Sequence, residues 1–134
     1  RMYPVEEILD EDNLFCRVHK NNIIEGTLAP VVFKERGGGE SKGLSTDWEK
    51  YSTAEEAQNR ARNPLQNGII KFNAGELRNC ELKLNVDHAP LYEINNLGEI
   101  LIDNRAHSNI KGVDTHRERL IALDIFEWVI QPTS

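Results

Sequence analysis

The residues of this 134-residue chain with chemistry to offer are four histidines and a few arginines, serines and carboxylates near them. Arg17 and His19 stand two apart in Leu14-Phe15-Cys16-Arg17-Val18-His19. At period two they share one face of a strand, where a guanidinium can hold an anion while an imidazole moves a proton. Ser45-Thr46-Asp47-Trp48, with Tyr51, gathers hydroxyl, carboxylate and aromatic groups just ahead of a helix start, a place suited to an anionic ligand. Asp87-His88-Ala89-Pro90 and Asp103-Asn104-Arg105-Ala106-His107-Ser108 each close a strand pattern, and loops at strand ends are where rigid scaffolds carry sites. If those strands are neighbours, His88 and His107 act together, Asp87 or Asp103 orients a ring, and Arg105 holds negative charge. The candidate catalytic residues are therefore His88, His107, Arg105 and His19. The candidate ligand-binding residues are Arg17, Ser45, Asp47, Asn104 and Arg105.

Each grouping also has a structural reading. Arg17 and His19 serve equally as the wet side of an edge strand, and Ser52 and Thr53 cap a helix whose start Trp48 and Tyr51 anchor. Histidines and asparagines in loops commonly hydrogen-bond the backbone around them. Other chemistries lack their frames. Arg36-Gly37-Gly38-Gly39-Glu40-Ser41-Lys42-Gly43 contains neither GxxxxGK[ST] nor GxGxxG, so it reads as a mobile Gly-rich loop at 37–43 rather than a phosphate cradle. No HxxxH, HExxH or CxxC is present, so no metal is expected at His88, His107 or His116. No GxSxG surrounds Ser45 or Ser108, which leaves a Ser-His-Asp hydrolase without a sequence signature. Arg60, Arg62, Lys71, Arg78 and Lys83 are interspersed with Glu55, Glu56, Glu76 and Glu81, a mixed solvated face rather than a nucleic-acid surface.

The elements that must position these groups follow from periodicity. Strands are expected at Leu14–His19, Leu44–Trp48, Ile69–Asn73, Leu82–Val86, Glu99–Ile102 and Ile125–Ile130, with Thr27–Phe33 an edge or irregular strand because of Pro30. Pro4–Leu9 suits one helical turn. Ser52 with Glu55 and Thr53 with Glu56 make overlapping capping boxes for a helix ending at Asn63, before Pro64, with Ala57 and Ala61 inward and Arg60 and Arg62 outward or towards the helix C-terminus, where the dipole favours them. Ala74–Asn79 has room for one or two helical turns, and Asp114 or Thr115 caps a last helix with Leu120, Ile121 and Leu123 inward. The sum is an α+β fold with a mixed or mostly antiparallel sheet of about five or six strands and two helices, in one domain spanning 1–134. Sixteen Lys+Arg against 22 Asp+Glu leave a net charge of −6, which argues against broad attraction to phosphate backbones or anionic membranes. No apolar run is long enough to span a bilayer, and the opening residues lack the basic-then-apolar plan of a secretion signal. A cytoplasmic protein without a membrane partner is expected, with Cys16 and Cys80 as free thiols filling apolar space.

The combination Gly43-Leu44-Ser45-Thr46-Asp47-Trp48, Tyr51-Ser52-Thr53-Ala54-Glu55-Glu56, Asp87-His88 and Asn104-Arg105-Ala106-His107-Ser108-Asn109-Ile110-Lys111-Gly112 resembles a group of small uncharacterised prokaryotic proteins, over most of the chain after Leu14. Leu14-Phe15-Cys16-Arg17-Val18-His19 is similar to the arginine-bearing first strand of ADP-ribosyltransferase-like and RES-type toxins, which handle NAD. That resemblance implies that Arg17 contacts the dinucleotide and Ser45 occupies the second-motif position, with no Glu assigned to the third. Two functions compete. The expected one is a small acidic binding module for a larger protein partner, an accessory of a prokaryotic defence or toxin system, with no cofactor. The alternative is an enzyme or ligand-binding protein acting on a nucleotide or NAD-like molecule through the His/Arg/Ser cluster. Whether Arg17, Ser45, His88, Arg105 and His107 line one hollow decides between them.

Overall fold

Apolar Leu14, Cys16 and Val18 alternate with Arg17 and His19 along the first strand, and in the computed structural model, which describes residues 2–39 and 42–133, the apolar set is buried while Arg17 and His19 are half-exposed. In chain order the strands are β1 (Asn13–His19), β2 (Ile23–Ile24), β3 (Thr27–Leu28), β4 (Leu44–Trp48), β5 (Asn67–Asn73), β6 (Asn85–His88), β7 (Leu91–Ile94), β8 (Ile100–Asn104), β9 (His107–Lys111) and β10 (Glu127–Ile130). The helices are α1 (Ala54–Asn59), α2 (Ala74–Asn79) and α3 (His116–Ala122). Six strands form one sheet in the order β10-β5-β1-β4-β9-β6, with antiparallel pairing throughout. Two short ribbons, β2-β3 and β7-β8, lie outside it. The protein is thus α+β, with an antiparallel six-stranded sheet and, among the described residues, three helices rather than two.

One face of the sheet carries the main core. Leu14, Cys16 and Val18 of β1 meet Ile70 and Phe72 of β5, Trp48 of β4, Ile110 of β9 and Val86 of β6 there. Ala74 and Leu77 of α2, Ala122 of α3 and Phe33 close it from above, Phe33 packing on the Phe72 ring at 5.7 Å between centroids. The opposite face is covered only at one end, where Ala54 and Ala57 of α1 sit on Phe15 and Ile69. A bulge in β10 between Trp128 and Ile130 sends the first to the main core and the second to this smaller cluster. Both thiols are free, and burial pushes that of Cys16 up to about 12.

Several expectations need correction. Pro4–Leu9 is irregular, not a helical turn: one turn is a costly nucleus, and the Glu6 N–H is instead spent on His88 Nδ1 at 3.0 Å. Thr27–Leu28 pairs with Ile23–Ile24, after which Pro30 opens a 3-10 turn over Pro30–Phe33. Thr53, not Ser52, caps α1 with Glu56 in a complete capping box, and the helix stops at Asn59. Thr115 and Glu118 make the same box for α3, in which Leu120 is 46% exposed and Ala122 carries the inward face. The strand expected at Leu82–Val86 pairs from Asn85 and runs on to His88. Strands β7 and β9 were not expected at all. Of the Gly-rich loop at 37–43, Glu40 and Ser41 lie outside the described residues, and its ends are tied by reciprocal Arg36–Gly43 backbone bonds of 3.0 and 2.9 Å.

Candidate functional site

Register decides which polar groups meet. Phe15 opposes Asp47, Asp47 opposes His107, and Ser45 opposes Asn109. Residues directly opposite in an antiparallel pair share a face, so Arg17, Asp47, Ser45, His107 and Asn109 all lie on the face that α1 covers at one end. Asp47, 1% exposed, is the centre of this group. Its Oδ2 accepts from Arg17 Nη1 at 2.9 Å and Arg60 Nη1 at 3.1 Å, and its Oδ1 accepts from Asn104 Nδ2 at 2.8 Å. Arg17 also donates to the Ala57 carbonyl at 3.0 Å, and Arg60 to Ser52 Oγ at 2.8 Å. Two guanidiniums on one carboxylate leave a net positive charge at the surface above it, with Arg17 31% and Arg60 28% exposed.

The sheet opens beside this group. β1 pairs with β5 along its whole length, from Asn13 opposite Asn73 to His19 opposite Asn67, yet it meets β4 only at Leu14–Trp48 and Phe15–Asp47. Beyond those pairs β4 holds to β9. A cavity of about 330 Å³ lies at the opening, lined by Arg17, His19, Lys34, Arg36, Leu44 and Ser45 among others, with no carboxylate among its described lining residues. A second cavity of about 370 Å³ shares Arg17 and Ser45 with the first and continues to Arg60, Asp103, Asn104 and His107 under an apolar wall of Leu91, Leu101 and Ile102 from the β7-β8 ribbon. Together they make a two-lobed groove, cationic at one end and part apolar at the other.

His107 and Ser45 are the reactive-looking pair within it. His107 Nδ1 lies 2.8 Å from the Ala89 carbonyl oxygen, which can only accept, so Nδ1 carries the proton. The bare Nε2 then accepts from Ser45 Oγ at 2.8 Å. Burial holds the His107 pKa below its ordinary value, the Ala89 hydrogen bond opposing, so the ring is neutral at pH 7. Ser45 is exposed, and both residues sit on hydrogen-bonded strands rather than on loops.

The structure therefore brings Arg17, Ser45, Asn104 and His107 together over Asp47 and separates the other candidates from them. His88 opposes Ser108, so it faces the other way from His107, and the two cannot act as a pair. It is 3% exposed, continuing the inward series Leu84, Val86, and sits against Trp48 at 5.0 Å. Its Nε2 donates to the Arg105 carbonyl at 2.6 Å while Nδ1 accepts from Glu6. The rings are thus oriented by backbone carbonyls, not by Asp87 or Asp103. Arg105 lies over the Tyr51 ring at 4.2 Å and 3.5 Å from Glu6, outside the groove. His19 lines the cationic lobe, its Nε2 3.3 Å from Gln66 Oε1. Asp47 and Asn104 have their polar atoms taken up with each other, the arginines and the Ala106 N–H, which makes them positioning residues. Arg60, expected outward or towards the helix C-terminus, is the C-terminal cap of α1, three residues from buried Ala57, and its guanidinium turns in to Asp47. Lys34 and Arg36 carried no local signal. Among the described residues, no group of three or more His, Cys, Asp or Glu side chains could hold a metal ion, and no helix is long and apolar enough to cross a membrane. No family model, curated protein or solved structure matches the chain.

Proposed function

We propose that the protein binds a phosphorylated small molecule of the nucleotide class, with phosphate in the lobe of Arg17, Lys34 and Arg36 and the base or sugar under Leu91, Leu101 and Ile102. The observation that carries this reading is the cationic lobe: it is lined by two arginines, a lysine and a histidine, with no carboxylate among its described residues, in a chain whose net charge is −6. Burying an anion needs such a surplus, and guanidinium forks match phosphate oxygens. The two lobes, at about 330 and 370 Å³, are each within the size range of small-molecule sites. The part played by Arg17 also agrees with what the toxin-like first strand implies. Isothermal titration with ADP and with inorganic pyrophosphate tests it. Both bind, ADP more tightly for its apolar contacts, and Lys34→Ala with Arg36→Ala weakens both, by about tenfold for each charge-assisted bond lost. Absence of binding at millimolar ADP and pyrophosphate, or affinity indifferent to the double substitution, overturns the reading.

A second reading, a docking module for a larger protein, has an observation of its own. The β7-β8 ribbon exposes Ile94, Leu97, Ile100 and Leu101, with Leu97 at 83%, an apolar run of the kind that partners cover. It requires that Leu97→Ser with Ile100→Ser abolish a defined protein complex while ADP binding stays intact.

A further inference from the structure

The geometry points to Ser45 and His107 as a nucleophile and base that cleave a phosphoester held in this groove, an inference that rests on the anionic-ligand reading above. Three features meet at one place. The serine Oγ is exposed and 2.8 Å from an unprotonated imidazole nitrogen. The imidazole is fixed from behind at 2.8 Å by the Ala89 carbonyl, the orienting part that an aspartate plays in other serine–histidine pairs. Ser45 and Arg17 are the two residues that line both lobes, so the hydroxyl sits where a phosphate in one lobe would join its leaving group in the other. Arg17 and Arg60, held by Asp47, supply the positive charge that a phosphorus centre gathering negative charge requires. A structural serine would need none of this: it is exposed, and water would satisfy it.

The step balances within the pair and water. Ser45 Oγ attacks phosphorus, forming the Oγ–P bond as the P–O bond to the leaving alcohol breaks; the hydroxyl proton passes to His107 Nε2 and on to the departing oxygen. Water then attacks phosphorus, gives its proton to His107 Nε2, and the Oγ–P bond breaks with that proton returned to Ser45. Nδ1 keeps its proton throughout, donated to Ala89. Burial of the ring, by favouring the neutral form, keeps Nε2 ready to accept near neutral pH.

A fluorophosphonate reagent tests the first half directly, since its fluoride leaves when an activated serine forms the Oγ–P bond. Intact-mass and peptide mass spectrometry of the full chain are expected to show one adduct, on Ser45, absent from Ser45→Ala. His107→Gln slows labelling by 10²- to 10³-fold, about what loss of a general base removes. The wild-type rate gives a second measure that needs no variant: it falls tenfold per pH unit below the His107 pKa, itself below the ordinary 6.5. No adduct, an adduct elsewhere, an unchanged rate in His107→Gln, or a wild-type rate that fails to fall once the His107 ring is protonated overturns the proposal. If pyrophosphate still binds when labelling fails, the nucleophile is refuted and the binding site stands; if neither occurs, both fall.

Discussion

Asp47→Asn is the sharpest perturbation of the site, because one buried carboxylate accepts three hydrogen bonds that bring together β1, β4, the end of α1 and the β8-β9 turn. Asparagine keeps the shape and loses the charge, and whichever way its amide turns, an N–H faces an N–H donor already in place. Removing one partner of a fully buried ion pair costs about 3–5 kcal/mol. Here Arg17 and Arg60 remain 31% and 28% exposed and can recover part of their hydration, which lowers the expectation to about 2–3 kcal/mol. At about 2.1 cal/mol/K of unfolding entropy per residue, a chain of 134 residues loses roughly 7–11 °C of melting temperature. Scanning calorimetry, with urea titration at constant m to confirm that only stability changed, gives both numbers. The cause is isolated by repeating Asp47→Asn in an Arg17→Met, Arg60→Met background, where the stranded charges are gone and the cost should fall below about 1 kcal/mol. A shift under about 2 °C in the single variant, or the same loss in both backgrounds, refutes the claim that this carboxylate organises the arginines.

Two further outcomes follow from the packing and from the N-terminal segment. At Gly68 a Cβ would stand 2.6 Å from the Ile130 carbonyl oxygen and 2.9 Å from Pro132 Cδ, so Gly68→Ala pushes β10 off the sheet edge. It should cost about 1–3 kcal/mol with a changed Trp128 emission, and an unchanged urea midpoint contradicts the close approach. Glu6 is held down to about 2 from its ordinary 4.5 by hydrogen bonds from Lys50 and Tyr51. Its folded-state pKa is depressed, so its contribution is complete above pH 4.5 and is lost as pH falls towards 2. Glu6→Gln should therefore lower the melting temperature at pH 7 and cease to differ from the wild type near pH 2, and a difference constant across that range sinks the assignment.

What could be read from the sequence was whatever obeyed a local period. β1, β5, the capping box of α1 and the Thr115 cap of α3 announce themselves because alternation and caps are properties of neighbouring residues. β9 does not. His107-Ser108-Asn109-Ile110-Lys111 holds one apolar residue, and its burial is made tolerable by hydrogen bonds that an apolar pattern does not show: Ser108 Oγ donates to the nearby Ala106 carbonyl at 3.0 Å, and the distant Thr46 Oγ1 donates to the Ser108 carbonyl at 3.1 Å. The same reason hid the opening between β1 and β4, which depends on where two strands 30 residues apart stop pairing and not on either strand alone. Of the candidate site, Arg17, Ser45, Asn104 and His107 were found by residue type and strand-end position. His88 was misplaced by stopping the Leu84-Val86 alternation one step early. Arg60 reads from the sequence as pointing outward or towards the helix C-terminus; it is the C-terminal cap of α1, three residues from buried Ala57, and its partner Asp47 lies on another element that no local pattern reveals.

The net charge of −6 and the cationic groove are compatible because the acids are spent elsewhere. Glu6 faces Lys50 and Arg105, Asp10 faces Arg78, Asp114 faces Lys42, and Glu127 faces Lys71, while Glu35 accepts the Gly112 and Val113 N–H groups. Two carboxylates remain at the groove: Asp47 lies beneath two arginines rather than at the surface, and Asp103 lines the apolar lobe, where its Oδ1 accepts from the Tyr3 hydroxyl. At physiological ionic strength charges beyond about 8 Å are largely screened, so a small ligand inside the groove feels Arg17, Lys34 and Arg36 and little of the remainder. A polyanion laid across the surface feels the remainder as well, and is repelled. A net charge of −6 that opposes a long polyanion is thus no argument against the single nucleotide proposed for the groove.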